Sequence, residues 1–457
     1  MQKNIGKLLL SSSAAASCLF LSINPAAAQE SQNVEALQAE IAALKAQLAV
    51  LSDKVDANAK KAEDAKANEA KAQEKPAQSK EKVKWKGAPE FSNDDGWSFK
   101  PRGRILYDAA TVSTPSGITD NGLGFSNEVR RARLGVQGTI PGGFEYKFEG
   151  DFANGGVELT DAFLAYAGKN VTINVGQHNN FQGLEELSSS NDTSFKERAA
   201  FTDAFGFKRK VGISAEYNNG PLLLQAGVFT DNVDDLAEDG NNSRSLDGRI
   251  VVAPKIGGNQ LHLGASVHVR ELGDTVTSVR YRQRPLVHST DVRFINTGTI
   301  NNATTESSYG LEAAVISGRF HAVAEGHWLK LNRTGLQDPS FDGQSIEAGV
   351  FLTNDKREYK GGVFKGVKVS NPVGKGGFGA LQFNLRYDRL NLTDAGDAVF
   401  GGKQDSYQAS LIWTPIDYVR FMINYAKMDY SDAAIAAAGG NRDYSVNVLG
   451  FRSQISF

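Results

Sequence analysis

The segment Asn447–Phe457 restricts the fold more than any other part of the chain. Counted back from Phe457 by twos, Ile455, Ser453, Phe451 and Leu449 share one face, while Ser456, Gln454, Arg452 and Gly450 share the other. This period-2 alternation predicts a β-strand with one apolar side. An apolar side needs a covering layer, and the sequence supplies no segment after this one. Lipid covers such a face when a sheet closes on itself and its first strand pairs with its last, so a transmembrane β-barrel is expected. The last strand of a soluble sandwich has the same period, and on this segment alone both readings stand.

The opening residues predict export. Met1–Lys7 is a short basic region, Leu8–Ile23 is apolar with interspersed Ser and Ala, and Ala26-Ala27-Ala28 offers a small-residue cleavage site before Gln29. Residues 1–28 therefore read as a signal peptide. Cys18, the single cysteine, lies inside it, and Ala15 stands where a lipidation site carries a large aliphatic residue. Lipidation is not expected, and the exported chain would hold neither disulfides nor thiolate metal ligands. No later apolar run is long enough for a spanning helix. The mean hydropathy of −0.34 is compatible with a barrel, because half of each strand faces a wet lumen.

A helix follows the signal peptide. Val34, Leu37, Ile41, Leu44, Leu48, Leu51 and Val55 recur at alternating spacings of 3 and 4, an unbroken seam with branched residues at a and Leu at d. Residues 29–56 are expected to form a coiled coil, with Glu40 and Lys45 positioned to pair between parallel helices. This a/d pattern favours two strands by packing. Residues 57–96 begin with an Ala/Lys/Glu/Gln-rich stretch without large apolar residues and read as a frayed helix or linker.

Residues 97–457 alternate repeatedly and form the expected barrel domain. Phe144, Tyr146 and Phe148 oppose Glu145, Lys147 and Glu149; Val171, Ile173 and Val175 oppose Thr172 and Asn174. Leu263, Ala265, Val267 and Val269 oppose Ser266, His268 and Arg270, and Phe383, Leu385 and Tyr387 oppose Asn384, Arg386 and Asp388. Tight turns are read at 141–143, 168–170, 218–221, 254–259, 317–319 and 414–417, with a longer basic connection near 354–379 in the same class. The alternate connections are read as long: 113–127, 178–208, 230–245, 271–308, 332–344, 391–405 and 428–443, with 153–157 brief. Seven turns on one side plus closure give sixteen antiparallel strands.

Several stretches resemble one known family. Arg130-Arg131-Ala132-Arg133-Leu134-Gly135-Val136-Gln137-Gly138, Leu184 to Thr193, Ala226 to Asn232, Phe351 to Asn354 with Arg357 to Lys360, Gly377 to Ala380 and Arg386 to Leu392 occur in this order. Together they are similar to the phosphate-selective porins of the O and P type, over residues 97–457. The terminal Phe457 is similar to the insertion signal of outer-membrane barrels. The resemblance implies a homotrimeric porin in outer-membrane lipid that passes phosphate or other small anions. It also implies a periplasmic position for the N-terminal helix, where contact with the cell wall is open to it.

The residues that bear on such a role are cationic. Arg280, Arg282 and Arg284 recur at period 2, which puts three guanidiniums on one side of an extended segment. In the family the fifth outer loop folds inward with a ladder of arginines, and these fall in the fifth outer loop here. A guanidinium suits an oxyanion because its planar fork binds two oxygens and never deprotonates. Arg131 and Arg133 lie opposite Ala132, Leu134 and Val136 and are expected to face the lumen. Lys356, Arg357, Lys360, Lys365 and Lys368 make a basic turn that could collect anions on the periplasmic side or be a solvated loop. The mixed charges of 178–208 fit a constriction loop that positions other side chains.

Enzyme signals are weak. Gly374-Lys375-Gly376-Gly377-Phe378-Gly379 fits G-x-G-x-x-G but precedes an alternating strand and opens no helix. His262/His268 and His321/His327 are too far apart along their strands to hold a metal alone and read as polar lumen residues. No enzyme activity, cofactor, metal or nucleic-acid partner is expected. The alternatives left open are a general porin without phosphate selectivity, a structural outer-membrane tether and a barrel hydrolase.

Overall fold

The computed structural model describes residues 30–72, 81–236 and 243–457. The signal-peptide reading lies outside the described residues. Two compact units divide the chain, residues 1–78 and residues 79–457. In the first, the described residues form one helix, α1, that runs Glu30–Ala72, well past the heptad seam. Ala, Lys, Glu and Gln are strong helix formers, so the helix persists after the apolar stripe has ended. Seam residues Ile41, Leu44, Leu48, Leu51 and Val55 are all exposed along α1.

The second unit is a closed antiparallel barrel of sixteen strands. In order they are β1 (Ser98–Val112), β2 (Gly124–Ile140), β3 (Phe144–Asp151), β4 (Glu158–Ala167) and β5 (Val171–Asn179). Next come β6 (Arg209–Asn219), β7 (Leu222–Phe229), β8 (Arg244–Val252), β9 (Asn259–Glu271) and β10 (Ala303–Ser317). The wall continues with β11 (Phe320–Arg333), β12 (Ser340–Phe351), β13 (Ala380–Asp394), β14 (Val399–Ile416), β15 (Val419–Ser431) and β16 (Tyr444–Ser456). Each pairs with its sequence neighbours, and β16 pairs with β1 from Val448↔Val112 to Ser456↔Arg104. The expected strand number and closure are both present. A short hairpin, Lys82–Lys86 and Ala88–Ser92, precedes β1 and joins its first residues. It lies in the stretch that composition reads as linker.

Burial is inverted relative to a soluble protein. On β16, Leu449, Phe451 and Ile455 are exposed while Arg452 and Gln454 are buried. The same holds for Leu263, Val267 and Val269 against Ser266 and His268 on β9, and for Phe383 and Leu385 against Asn384, Arg386 and Asp388 on β13. An apolar outer wall around a polar interior is stable only where lipid takes the outside. The four histidines His262, His268, His321 and His327 are all buried in the lumen, and no cluster of metal-ligating side chains occurs among the described residues.

Two connections are tighter than expected. β11 and β12 are separated only by residues 334–339, and β13 and β14 only by 395–398, because both hairpins continue pairing beyond the barrel wall. Alternation with few apolar residues, as in 391–405, reads as loop by composition although both faces are wet there.

Three connections turn inward. Residues 180–208 carry two short helices, Leu184–Leu187 and Ala200–Ala204. Residues 272–302 bring Tyr281, Leu286, Val287, Phe294 and Ile295 into an apolar cluster with Phe201, Phe205 and Phe207 of the first loop. That cluster rests on inward wall residues at the loop end of the barrel, including Leu331, Leu390, Met428 and Val446. The basic connection 352–379 enters from the turn end, where Val363 and Phe364 meet Leu184.

Candidate functional site

Wall arginines hold the loop 180–208 across the lumen. Arg452 donates Nε and Nη2 to Asp108 on the neighbouring strand, at 2.7 and 2.8 Å, and Nη1 to the Lys196 carbonyl at 2.6 Å. Arg386 reaches Glu347 at 2.9 Å, Glu185 and the Glu197 carbonyl at 3.2 Å. Arg420 donates to the carbonyls of Asn191, at 2.9 Å, and Thr193, at 2.5 Å, and Arg104 to the Ser190 hydroxyl at 3.1 Å. On β11, Glu325 accepts the backbone N–H groups of Leu184 and Glu185, both at 2.8 Å. A loop so tied has little freedom to leave the channel, since each buried charge would lose its partner.

Against this loop lies a cavity of about 200 Å³. Its charged lining comprises Arg130, Arg131, Arg133, Arg198, Lys208, Arg209 and Arg284 against Glu158, Glu186, Glu197 and Asp203. Seven basic side chains and four acidic ones line it, and several of the basic ones also pair with acids outside the lining, Arg133 with Glu149 and Asp151 and Arg209 with Asp161. Glu197 illustrates how the acids are held: burial disfavours its charge, but Arg130 and Arg452 outweigh that and keep it below the usual carboxylate range. Arg130 meets it through Nε and Nη2 at 3.1 and 3.2 Å. Arg198 is 3.3 Å from Glu186, and Arg209 is 2.9 Å from Asp161.

Arg131 is less engaged. Its single ion pair, with Asp151, is long at 3.7 Å, and it makes no hydrogen bond among the described residues. A β-bulge puts it there. Leu106 pairs with Arg131 and Tyr107 with Val129, so Arg130 is the extra residue. The insertion aims Arg130 and Arg131 together into the lumen, between outward Val129 and Leu134.

The structure brings Arg131, Arg133 and Arg284 to one cavity. Arg133 is buried and tied to Glu149, at 3.1 Å, and Asp151, at 2.9 Å. Arg284 donates to the Thr290 carbonyl at 3.1 Å and lies 3.2 Å from Asp291 and 3.8 Å from Asp203. Arg280 and Arg282 are exposed and do not line this cavity; Arg280 bonds Asn296 at 2.9 Å, and Arg282 has no ion pair among the described residues. The alternation itself is present, with Tyr281 and Gln283 buried between them.

In the basic connection, Lys356, Lys360, Lys365 and Lys368 are exposed, but Arg357 is buried inside the barrel. It lies 3.4 Å from Glu347, donates to the Asp192 carbonyl at 2.8 Å and to Ser194, and stacks 4.2 Å over the Phe364 ring. Arg357 therefore braces the loop from below. Sequence reasoning met Arg130 only in the family motif and Arg198 only among the mixed charges of 178–208, and did not single out Lys208 or Arg209. For Arg130 a signal existed: outward parity is odd through Val129 and even from Ala132, and such a flip requires an inserted residue.

A closed barrel with an apolar outer wall, a wet charged lumen and an inward-folded loop defines a porin. Residues 99–457 match the family described as Phosphate-selective porin O and P. The chain belongs to that family and is an outer-membrane porin, a channel and not an enzyme. An uncharacterized protein of Caulobacter vibrioides is 43% identical, covering 97% of this chain and 94% of its own. Porin O of Pseudomonas aeruginosa is 27% identical, covering 76% of this chain and 86% of its own. Among solved structures, OmpT of Vibrio cholerae shares the fold, with a TM-score of 0.50, 12% identity and coverage of 80% of this chain and 99% of its own.

Proposed function

We propose that the channel prefers anions and passes phosphate or similar oxyanions by passive diffusion. The observation that carries this reading is the arginine-rich cavity beside the loop 180–208, where Arg131 has no hydrogen-bond acceptor among the described residues. An oxyanion entering there would gain a guanidinium without breaking an existing bidentate pair. Arg284 and Arg133 border the same space and serve as further sites on the path, with Arg280 and Arg282 exposed to anions before they reach it. A row of modest sites allows passage, whereas one deep site would trap the ion. Lys360, Lys365 and the neighbouring Lys356 and Lys368 are available to collect anions at the turn end. The reading is tested by the reversal potential of purified channels in a salt gradient.

A general anion-preferring porin without phosphate selectivity is the second reading. It is favoured by the heavy use of lumen arginines in protein contacts: Arg249 with Glu312, Arg386 with Glu347 and Arg452 with Asp108 are satisfied within the protein. Phosphate competing for chloride current separates the two. The assembly read here is a homotrimer, and α1 extends into the periplasm with its exposed seam available for a coiled coil.

A further inference from the structure

The hairpin Lys82–Lys86/Ala88–Ser92 lies outside the sixteen wall strands and is built with one apolar face. Register places Val83 opposite Phe91, and Phe91 opposite Phe99 of β1. These three side chains form a row across three strands, and Trp85 lies two residues along the same face of the outer strand. All are exposed, Trp85 by 74%, and the Phe91 and Phe99 rings lie 6.4 Å apart.

The parity of β1 fixes where that row points. Phe99 lies on the same side of the strand as Ile105 and Tyr107, which belong to the exposed apolar wall. The hairpin therefore extends the lipid-facing surface past the last backbone pairing of the first and final strands, at Gly103 and Phe457. Its turn is seated under the end of the chain: a Cβ at Gly87 would stand 2.8 Å from the Tyr418 ring and 2.9 Å from the Phe457 Cα, which fixes the hairpin to the barrel rim. Lys82, Lys84 and Lys86 lie on the opposite face, with Lys86 3.6 Å from Glu90.

We propose that this hairpin is a membrane-interface anchor, inserting Trp85, Val83, Phe91 and Phe99 into the boundary between phospholipid headgroups and acyl chains at the turn end of the barrel. Aromatic side chains favour that layer because a ring buries apolar area while its polar edge stays wet. Continuity with the lipid-facing wall identifies phospholipid as the occupant. The lysines keep the outer edge strand from pairing with other sheets.

The test uses the full-length barrel in phosphatidylcholine vesicles, with Trp97, Trp328 and Trp413 changed to Phe so that Trp85 alone reports. The expected result is blue-shifted emission, quenched severalfold more by a nitroxide on the lipid headgroup than by one deep in the acyl chain, with little quenching by aqueous iodide. Emission of an exposed indole quenched by iodide overturns the anchor. Emission that is blue-shifted but insensitive to both nitroxides and to iodide overturns it too, and assigns the face to a neighbouring protein copy. Should the triple variant not fold, the difference in quenching between the unaltered protein and Trp85→Phe gives the same decision.

Discussion

Gly103 and Phe457 exchange two backbone hydrogen bonds: the Phe457 N–H donates to the Gly103 carbonyl at 2.9 Å, and the Gly103 N–H to the Phe457 carbonyl at 3.1 Å. The Phe457 ring occupies the space of a missing side chain, since a Cβ on Gly103 would stand 2.3 Å from its Cζ. The seam between first and last strand is thus sealed by an aromatic ring laid over a glycine.

That arrangement predicts a coupled pair. Gly103→Val should evict the ring and cost about 1–3 kcal/mol by overpacking. In a Phe457→Ala background the same change should cost much less, because the clash has gone. Urea unfolding of the four variants, followed by the heat-dependent gel shift of the folded barrel, measures the coupling. Additive effects would show that the ring does not occupy the glycine's space.

Loop anchoring makes a second prediction. Arg452→Ala leaves Asp108 buried with Lys196, 3.5 Å away, as its one ion-pair partner among the described residues and frees the loop carbonyl of Lys196. Removing one partner of a buried pair costs on the order of 3–5 kcal/mol. The barrel should still form, and single-channel current should become noisy as the loop moves. Quiet conductance at the original level would mean that Arg452 does not hold the loop.

The acid dependence of that anchoring follows from Glu197. Its folded-state pKa is held below the usual carboxylate range by Arg130 and Arg452 against the opposing effect of burial. A depressed pKa contributes stability that is complete above the unfolded value, about 4.3, and is lost only as pH falls toward the folded value. The share of the anchoring that Glu197 carries should therefore be unchanged from neutral pH down to mild acid, and Glu197→Gln should raise the channel noise already at neutral pH. Noise setting in above the ordinary carboxylate range would point to a different titrating group.

The seam of α1 predicts association between copies. Leu44 is exposed at a d position, and Cys18 is the only cysteine in the sequence. In the full-length protein, Leu44→Cys should give disulfide-linked dimers on mild oxidation, and adding Ile41→Asp and Leu48→Asp should abolish them. Equal cross-linking with and without the aspartates would exclude a seam-mediated coiled coil.

The wall was legible in the sequence because alternation is a local signal. Leu449, Phe451 and Ile455 against Arg452 and Gln454 needed no distant information, and sixteen strands followed from the spacing of turn residues. The lumen was less legible. That Arg357 braces a loop instead of collecting anions depends on Glu347 and Phe364, and on Asp192 far along the chain. Arg280 and Arg284 are alike in sequence, yet the apolar packing of Tyr281 and Leu286 sends only Arg284 to the cavity. Pairing of charges across a closed barrel is non-local, and no periodicity encodes it.

The central claim is that the arginine-rich cavity sets the selectivity, and the reversal potential in a potassium chloride gradient tests it most directly. The native channel should show anion preference. Arg131→Gln or Arg284→Gln should each lower the anion-over-cation permeability ratio roughly severalfold, since a charge near the path contributes at least about 1 kcal/mol. Arg280→Gln or Arg282→Gln should lower it less, and Arg284→Lys should keep the sign while weakening competition by phosphate, because the fork is lost and the charge remains. Cation preference in the native channel, or an unchanged reversal potential after both Arg131 and Arg284 are replaced, would contradict the account.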